Sequence, residues 1–264
     1  MTIKKPRIGI ALSGGAARCI AHISVLEELE KEGVVIDAIA GTSGGAFVGA
    51  LYAAGLNVHK IQEMALRLSW REMFKPVFSR QGLISHKNLL RTITRYIGHL
   101  DFKDLRIPFA AVAADLRTGE KVVITQGSVP EAVAASCSLP VIFSPASHSG
   151  RILVDGGIAS NLPVLALVEN LGATITIAVD VNDRARENSK LNNLFQIGVH
   201  TVSLFAKKNA AIEKKFADII INVDASGVSL IDLRKGGLML KRGKAAAEKQ
   251  APVLMKLLKE FSYL

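Results

Sequence analysis

Tryptophan occurs once in this chain of 264 residues, tyrosine three times and cysteine twice. Two cysteines do not make the dense disulfide framework of a small secreted domain. Cys19 and Cys137 both sit among apolar or small residues, so free thiols and a reducing, cytoplasmic setting are expected. Neither a Cys/His cluster of metal-ligand spacing nor an acidic run of calcium-loop spacing occurs, and chemistry without a metal or other cofactor is expected. Long uncharged stretches are scarce. The longest, Ala38–His59, has 22 residues, enough for a membrane span, but it holds five glycines and Asn57 and divides into strand, turn and helix. The apolar run Ile8–Leu12 leads at once into Gly14 and Gly15 and reads as a strand, not as a signal peptide. Hydrophobic residues make up 49 % and mean hydropathy is +0.30, which excludes disorder as the main theme and supplies a sizeable core.

Charge is plentiful but uneven. The chain carries +10, with a pI near 9.7, and such a balance attracts anionic partners of any kind. Residues 1–58 are neutral, 59–106 carry +6, 107–183 carry −4 and 184–264 carry +8. The excess therefore lies in two blocks, outside the stretches that bear the motifs described below.

The spacing of apolar residues predicts a strand at Ile8–Leu12, a helix from Ala16 with Ile20, Ile23, Leu26 and Leu29 on one face, and a stop at Gly33. Val34–Ala40 reads as a second buried strand, Gly41–Gly45 as a turn, and Ala46–Ala54 as a helix closed by Gly55. A doubled strand–turn–helix unit calls for a parallel sheet with helices on its faces. Residues 59–106 interrupt this rhythm with basic, amphipathic helical sequence. Further strands are expected at Ile107–Ala113, Lys121–Thr125, Arg151–Val154, Thr174–Val181 and Ile219–Val223, and helices at Val129–Cys137, Leu194–Phe216 and about 237–261. With no repeat, linker or domain boundary visible, residues 1–264 read as one domain with a cap-like segment at about 59–106.

Three segments carry chemistry. Gly41-Thr42-Ser43-Gly44-Gly45 fits G-x-S-x-G between an apolar strand and a helix, the setting of a nucleophile elbow; the bland alternative is a small-residue turn. Ser13-Gly14-Gly15-Ala16-Ala17-Arg18 is again a strand-to-helix turn, whose N–H groups suit a phosphate or a developing oxyanion. It lacks the G-x-G-x-x-G pattern, with Cys at position 19, and it lacks the Gly-Lys-Ser/Thr of a phosphate loop. Arg18 either orients this loop, attracts an anionic substrate or lies in solvent. Leu153-Val154-Asp155-Gly156-Gly157 puts a carboxylate at a strand end, where turns commonly have one. A serine needs a base, and of the six histidines only His200 follows Asp155 in the chain order of a conventional triad. His200 lies mid-helix among apolar residues and reads as a packed core histidine; His22, on the first helix, also reads as structural. Ser43 with Asp155 then remains, as a dyad.

These three segments, in this order and at these junctions, resemble the patatin-like phospholipase family, with its glycine-rich oxyanion loop, G-x-S-x-G serine and D-G-G/A aspartate. Arg18–Leu26, Ala135–Pro145 and Asn161–Val164 are similar to the family as well, so the resemblance covers about residues 6–182. It implies a three-layer α/β/α sandwich with a mainly parallel central sheet. It also implies acyl-ester hydrolysis in which Ser43 attacks, Asp155 takes the proton, and N–H groups of Gly14, Gly15, Ala16 and Gly44 hold the oxyanion. The sequence departs from the family pattern at Ala16 and Cys19, where glycines are usual, and at Gly44, where a larger small residue is common. An alanine forced to positive φ at position 16 would cost on the order of 1 kcal/mol.

The expected partners are a lipid or acyl-ester substrate and an anionic membrane surface, met peripherally, with no nucleic acid; the sequence sets no oligomeric state. In the 59–106 block, Arg67, Arg71, Lys75, Arg80, Lys87, Arg91 and Arg95 interleave with Leu66, Leu68, Trp70, Phe74, Phe78, Leu83, Leu89 and Leu90. This block is expected to bind acyl chains and touch the membrane, against the plainer reading of a solvated cap. Two rival readings are a phosphate- or nucleotide-binding protein using Gly14–Ala16, and a catalytically weak lipid-binding relative.

Overall fold

Strand β1 (Ile8–Leu12) alternates large and small side chains, and this alternation sets the thickness of the two layers that cover the sheet. The computed structural model describes residues 6–67, 84–185 and 192–262. Ile8, Ile10 and Leu12 point into the main core; Ala11 points to the opposite face. Strands β2 (Ala38–Thr42) and β3 (Phe109–Asp115) repeat the pattern, with Ala38, Ala40 and Ala110 on the small side. That face lets a helix come close: a Cβ at Gly9 would lie 2.7 Å from the Ala173 Cβ.

The sheet has eight strands and is mostly parallel. Strands β3, β2, β1, β7 (Ile175–Asp183) and β8 (Ile219–Asp224) run parallel in that spatial order. β4 (Lys121–Ile124) and β6 (Arg151–Asp155) both pair antiparallel with β3, and β5 (Ala146–His148) pairs with β6.

The main core face is covered by α1 (Ala21–Lys31), α2 (Gly44–Ala53), α3 (Val58–Arg67), α4 (His86–Ile97), α5 (Val129–Ser136) and α8 (Gly236–Ser262). The small face is covered by α6 (Val164–Leu171) and by Ala210 of α7 (Leu194–Glu213). The result is the three-layer α/β/α arrangement.

The registers along β3 position the site. β2 and β4 overlap at Ala111 and Val112, so they occupy opposite edges of β3. β4 and β6 overlap at Ala113 and Ala114, so β6 shares the edge used by β2. β2 and β6 therefore meet end to end, with Thr42 opposite Val112 and Asp155 opposite Ala113. Two strands of opposite direction deliver Ser43 and Asp155 to the same point.

Most expected elements fall within a residue or two of the observed ones; four differences have clear causes. The second strand begins at Ala38 rather than Val34. Val35 points to solvent, the Val34 N–H still closes the preceding helix on the Leu29 carbonyl, and β2 aligns with β1 only from Ala38. The first helix opens with a 3-10 turn over Ala16–Ile20 before α1. Helix α6 is an addition; it starts after Pro163 and is stopped by Gly172 in the left-handed region. Strand β5 is also an addition, a three-residue partner to β6, and with β4 and β6 it forms the antiparallel part of a mainly parallel sheet. Of the basic block, α3 and α4 pack into the main core through Val58, Ile61, Leu89, Ile93 and Ile97. Leu68, Trp70, Arg71, Phe74, Lys75, Phe78, Arg80 and Leu83 lie outside the described residues. No helix among the described residues is long and apolar enough to cross a membrane.

Candidate active site

Ser43 lies between β2 and α2 with φ 54° and ψ −127°, a left-handed φ that costs a non-glycine residue about 1–3 kcal/mol. The neighbours make room for it. A Cβ on Gly41 would lie 2.6 Å from the Ala46 Cα, and one on Gly45 would lie 2.4 Å from the Leu12 carbonyl oxygen. The elbow is thus wedged against the end of β1. Its backbone is held from the other side, where the Ser43 N–H donates to Ser136 Oγ at 2.8 Å and Ser136 Oγ–H donates to the Val112 carbonyl.

Asp155 meets Ser43 directly: Ser43 Oγ to Asp155 Oδ2 is 2.6 Å. The other carboxylate oxygen accepts the Gly157 N–H at 2.8 Å, and the Asp155 N–H donates to the Ser138 carbonyl. Asp155 is only 3 % exposed. Burial raises its pKa to about 6, against the opposing pull of the hydrogen bonds from Ser43 and Gly157. Such a carboxyl is ionised at neutral pH and has a proton affinity far above that of an exposed aspartate.

The glycine-rich loop follows β1 and faces the elbow. The Gly14 N–H donates to the Asn161 carbonyl at 3.0 Å, so it is spent within the fold and does not act as the oxyanion donor expected of it. The N–H groups of Gly15 and Ala16 form no hydrogen bond among the described residues. The Gly44 N–H, at the first position of α2, has no intrahelical acceptor. Ala16 does adopt positive φ, 47°, so the loop carries the strain that a glycine would avoid. Arg18 is not in solvent but at the wall of the polar cavity described below. It is buried, and its guanidinium donates to the Val228 carbonyl at 2.9 Å and to Asn182 Oδ1 at 3.1 Å.

Four polar residues that the motifs did not reveal hold this loop and its neighbour. Asn182 Nδ2 donates to the Gly14 carbonyl at 2.7 Å, and Asn182 is tied to Asp180, which pairs with Lys214 at 2.7 Å. Asn161 Nδ2 donates to the same carbonyl at 3.4 Å. Asn209 of α7 donates to the Gly157 and Ile158 carbonyls and accepts the Asn161 N–H. Glu213, buried, accepts from Ser160 Oγ and from the Leu165 N–H. Apart from the links of Asp180 to Asn182 and Lys214, these contacts span 48 to 168 residues of sequence, and nothing local signals them.

The histidines divide. His22 is buried with Nε2 2.8 Å from the Ser13 carbonyl, and burial lowers its pKa to about 4, so it stays neutral. His200 is not a core residue as expected: it is half-buried and lines a polar cavity, because the face of α7 that bears it turns toward the site and not into either core.

Two cavities meet at Ser43. One, of about 150 Å³, is apolar and lined by Phe47, Val48 and Leu51 of α2 together with Ile61, Leu89 and Ile93. The other, of about 500 Å³, is polar and lined by Gly15, Asp155, Asn182, Arg184, His200 and Lys207. Cys19 and Cys137 both line the apolar cavity, and burial raises both thiol pKa values, so they stay protonated beside Ser43.

An elbow serine, an opposed buried carboxylate and a glycine-rich loop thus meet at one point of a three-layer α/β fold. Residues 10–168 match the family described as patatin-like phospholipase, and the chain belongs to that family. It is 36 % identical over 180 residues to an uncharacterised NTE-family protein of Mycobacterium tuberculosis, and 33 % identical over 180 residues to lysophospholipase NTE1 of Candida albicans. These matches take in 67 % and 66 % of this chain, but 49 % and 13 % of the relatives, so the chain spans half or less of their length. In fold it is similar to VipD from Legionella pneumophila, with a TM-score of 0.58 at 14 % identity over 94 % of this chain and 67 % of that one.

Cys19 and Gly44, two of the departures from the family pattern, touch each other. A Cβ on Gly44 would lie 2.7 Å from Cys19 Sγ. The thiol fills the space that a larger residue at 44 would need. Gly44→Ala is therefore expected to cost about 1–3 kcal/mol by overpacking, and Cys19→Gly to relieve it. A double-mutant cycle by urea unfolding should give a favourable coupling of about 1 kcal/mol or more; additive losses would contradict the contact.

Asp155 has a second consequence. Its pKa rises on folding, so the folded state favours the neutral acid. The carboxylate opposes folding progressively above about pH 4 and fully above about pH 6, by about 3 kcal/mol. Asp155→Asn should raise Tm at pH 8 and change it little at pH 4. An equal shift at both values would contradict the buried charge.

Proposed function

We propose that this chain is a serine lipid acyl hydrolase that cleaves acyl esters through Ser43 and Asp155. The observation that carries the reading is the 2.6 Å Ser43–Asp155 hydrogen bond at the junction of an apolar and a polar cavity. Family membership and the similarity to a lysophospholipase support the lipid substrate.

In the mechanism, Asp155 takes the Ser43 hydroxyl proton as Oγ attacks the ester carbonyl carbon. The carbonyl oxygen becomes an oxyanion, held by the N–H groups of Gly15, Ala16 and Gly44 and by the positive end of α2. Collapse breaks the bond to the alcohol, which leaves with the proton from Asp155. The acyl-enzyme remains. Asp155 then takes a proton from water, hydroxide adds to the acyl carbon, and the acid departs as the proton returns to Ser43. The acyl chain lies in the apolar cavity along α2, and the head group lies in the polar one. Ser43 to Leu51 spans about 12 Å at the helical rise, which suits a medium-length chain.

The nucleotide-binding reading fares worse. Arg18, its natural anion ligand, is committed to Val228 and Asn182, and that reading gives the apolar cavity no purpose.

A fluorophosphonate probe should label the wild type on Ser43 and leave Ser43→Ala unlabelled. Hydrolysis of p-nitrophenyl octanoate should fall at least about a thousandfold in Ser43→Ala. Labelling or turnover retained by Ser43→Ala would end the serine account, and an unlabelled, inactive wild type would favour the lipid-binding relative.

A further inference from the structure

Helix α7 forms one wall of the polar cavity, through His200, Ser203 and Lys207, with Lys214 just past its end. Its inward face is fully employed: Asn209 and Glu213 clamp the loop after Asp155. Its outward face is not. Leu194 is 87 % exposed, and Leu204, Phe205, Ile212 and, just past the helix end, Phe216 are each more than half exposed; Ile197 is exposed as well. At 100° per residue the five that lie within the helix, Leu194, Ile197, Leu204, Phe205 and Ile212, fall on one stripe about 100° wide. Large apolar residues in such a row are costly in water, and their grouping marks a surface that is normally covered.

The charges on the same face identify the cover. Lys207, Lys208 and Lys215 are exposed along this stretch. The only acidic residue between 194 and 216, Glu213, is buried. Lys208 lies among these apolar side chains, Lys215 follows just past the helix end and Lys207 flanks the row, so the face is at once apolar and basic, as in a helix that lies in the interface of an anionic bilayer. The stripe is also continuous with the site, because Leu204 belongs both to the exposed row and to the cavity lining. By contrast, the outward row of α4 in the basic block, Lys87, Arg91 and Arg95, carries charge without apolar anchors.

We infer that the outward face of α7, centred on Leu204, Phe205, Lys208 and Ile212, docks this protein on an anionic lipid surface with the polar cavity opening at the bilayer. The surface deepens the acyl-hydrolase reading by giving a lipid a path from bilayer to Ser43, and the docking itself needs no catalysis.

The test uses the full chain, vesicles of phosphatidylcholine alone or mixed with phosphatidylglycerol, and the variants Phe205→Ser/Ile212→Ser and Lys208→Glu/Lys215→Glu, none of which lines the cavities. Wild type and Ser43→Ala should sediment with the mixed vesicles and much less with the neutral ones. Both double variants should bind at least about tenfold more weakly while hydrolysing p-nitrophenyl octanoate in solution as the wild type does. Unchanged vesicle binding by both variants, or none by the wild type, would overturn the inference. So would a wild-type dimer in light scattering that Phe205→Ser/Ile212→Ser dissociates, since a second copy would then be the cover. If docking follows the stripe but no variant, wild type included, hydrolyses ester, the catalytic reading fails and the surface stands.

Discussion

The hydrogen bond between Ser43 and Asp155 exists only because two strands of opposite direction end against each other. β2 arrives with Thr42 opposite Val112, β6 arrives from the far side with Asp155 opposite Ala113, and β3 holds both on one edge. Much of the surrounding structure serves this meeting. Ser136 fixes the elbow, Ser138 fixes the Asp155 backbone, and α7 clamps the loop that follows through Asn209 and Glu213. The cost is visible in the same atoms, as a left-handed φ at Ser43 and a buried carboxylate with a raised pKa.

How far the sequence could be read depends on the range of the forces involved. The turns that hold Ser43 and Asp155 are legible because each is short, bounded by glycine and set after an apolar strand, a local pattern with a local cause. Parallel strands and their helices were legible from apolar spacing for the same reason. The Gly14 N–H was not. Whether it is free or spent depends on Asn161, 147 residues away. Arg18 likewise looked like a helix-start residue until Val228 and Asn182 closed around it. Helix α6 has its signals, Pro163 before it and Gly172 after it, but an apolar run of eight residues does not distinguish a short helix from a buried strand by its pattern. The apolar sequence neighbours of His200 predict a core position for it, yet several of them, Ile197 and Leu204 among them, point outward.

The charge distribution acquires a geometry. The motif-bearing segments total −4, while the surplus lies in the 59–106 block and beyond residue 184. Within the first block, α3 and α4 contribute Ile61, Leu89 and Ile93 to the wall of the apolar cavity and leave their lysines and arginines outside. Within the second, α7 offers lysines beside exposed apolar side chains. Of the cations that line the polar cavity, Lys214 is paired with Asp180 and Arg18 is held by Val228 and Asn182.

The central claim is that a carboxylate, with no histidine, moves the proton. The pH dependence of kcat/KM for a soluble ester, compared between wild type and His200→Gln, tests this most directly. His200 lies nearest in role to a conventional base, since it lines the cavity that opens on Ser43. The account predicts an acid limb near pH 6, the value to which burial raises Asp155, at the same position and height in both proteins. A limb that moves or an activity that collapses in His200→Gln would assign the proton to the histidine and contradict the account.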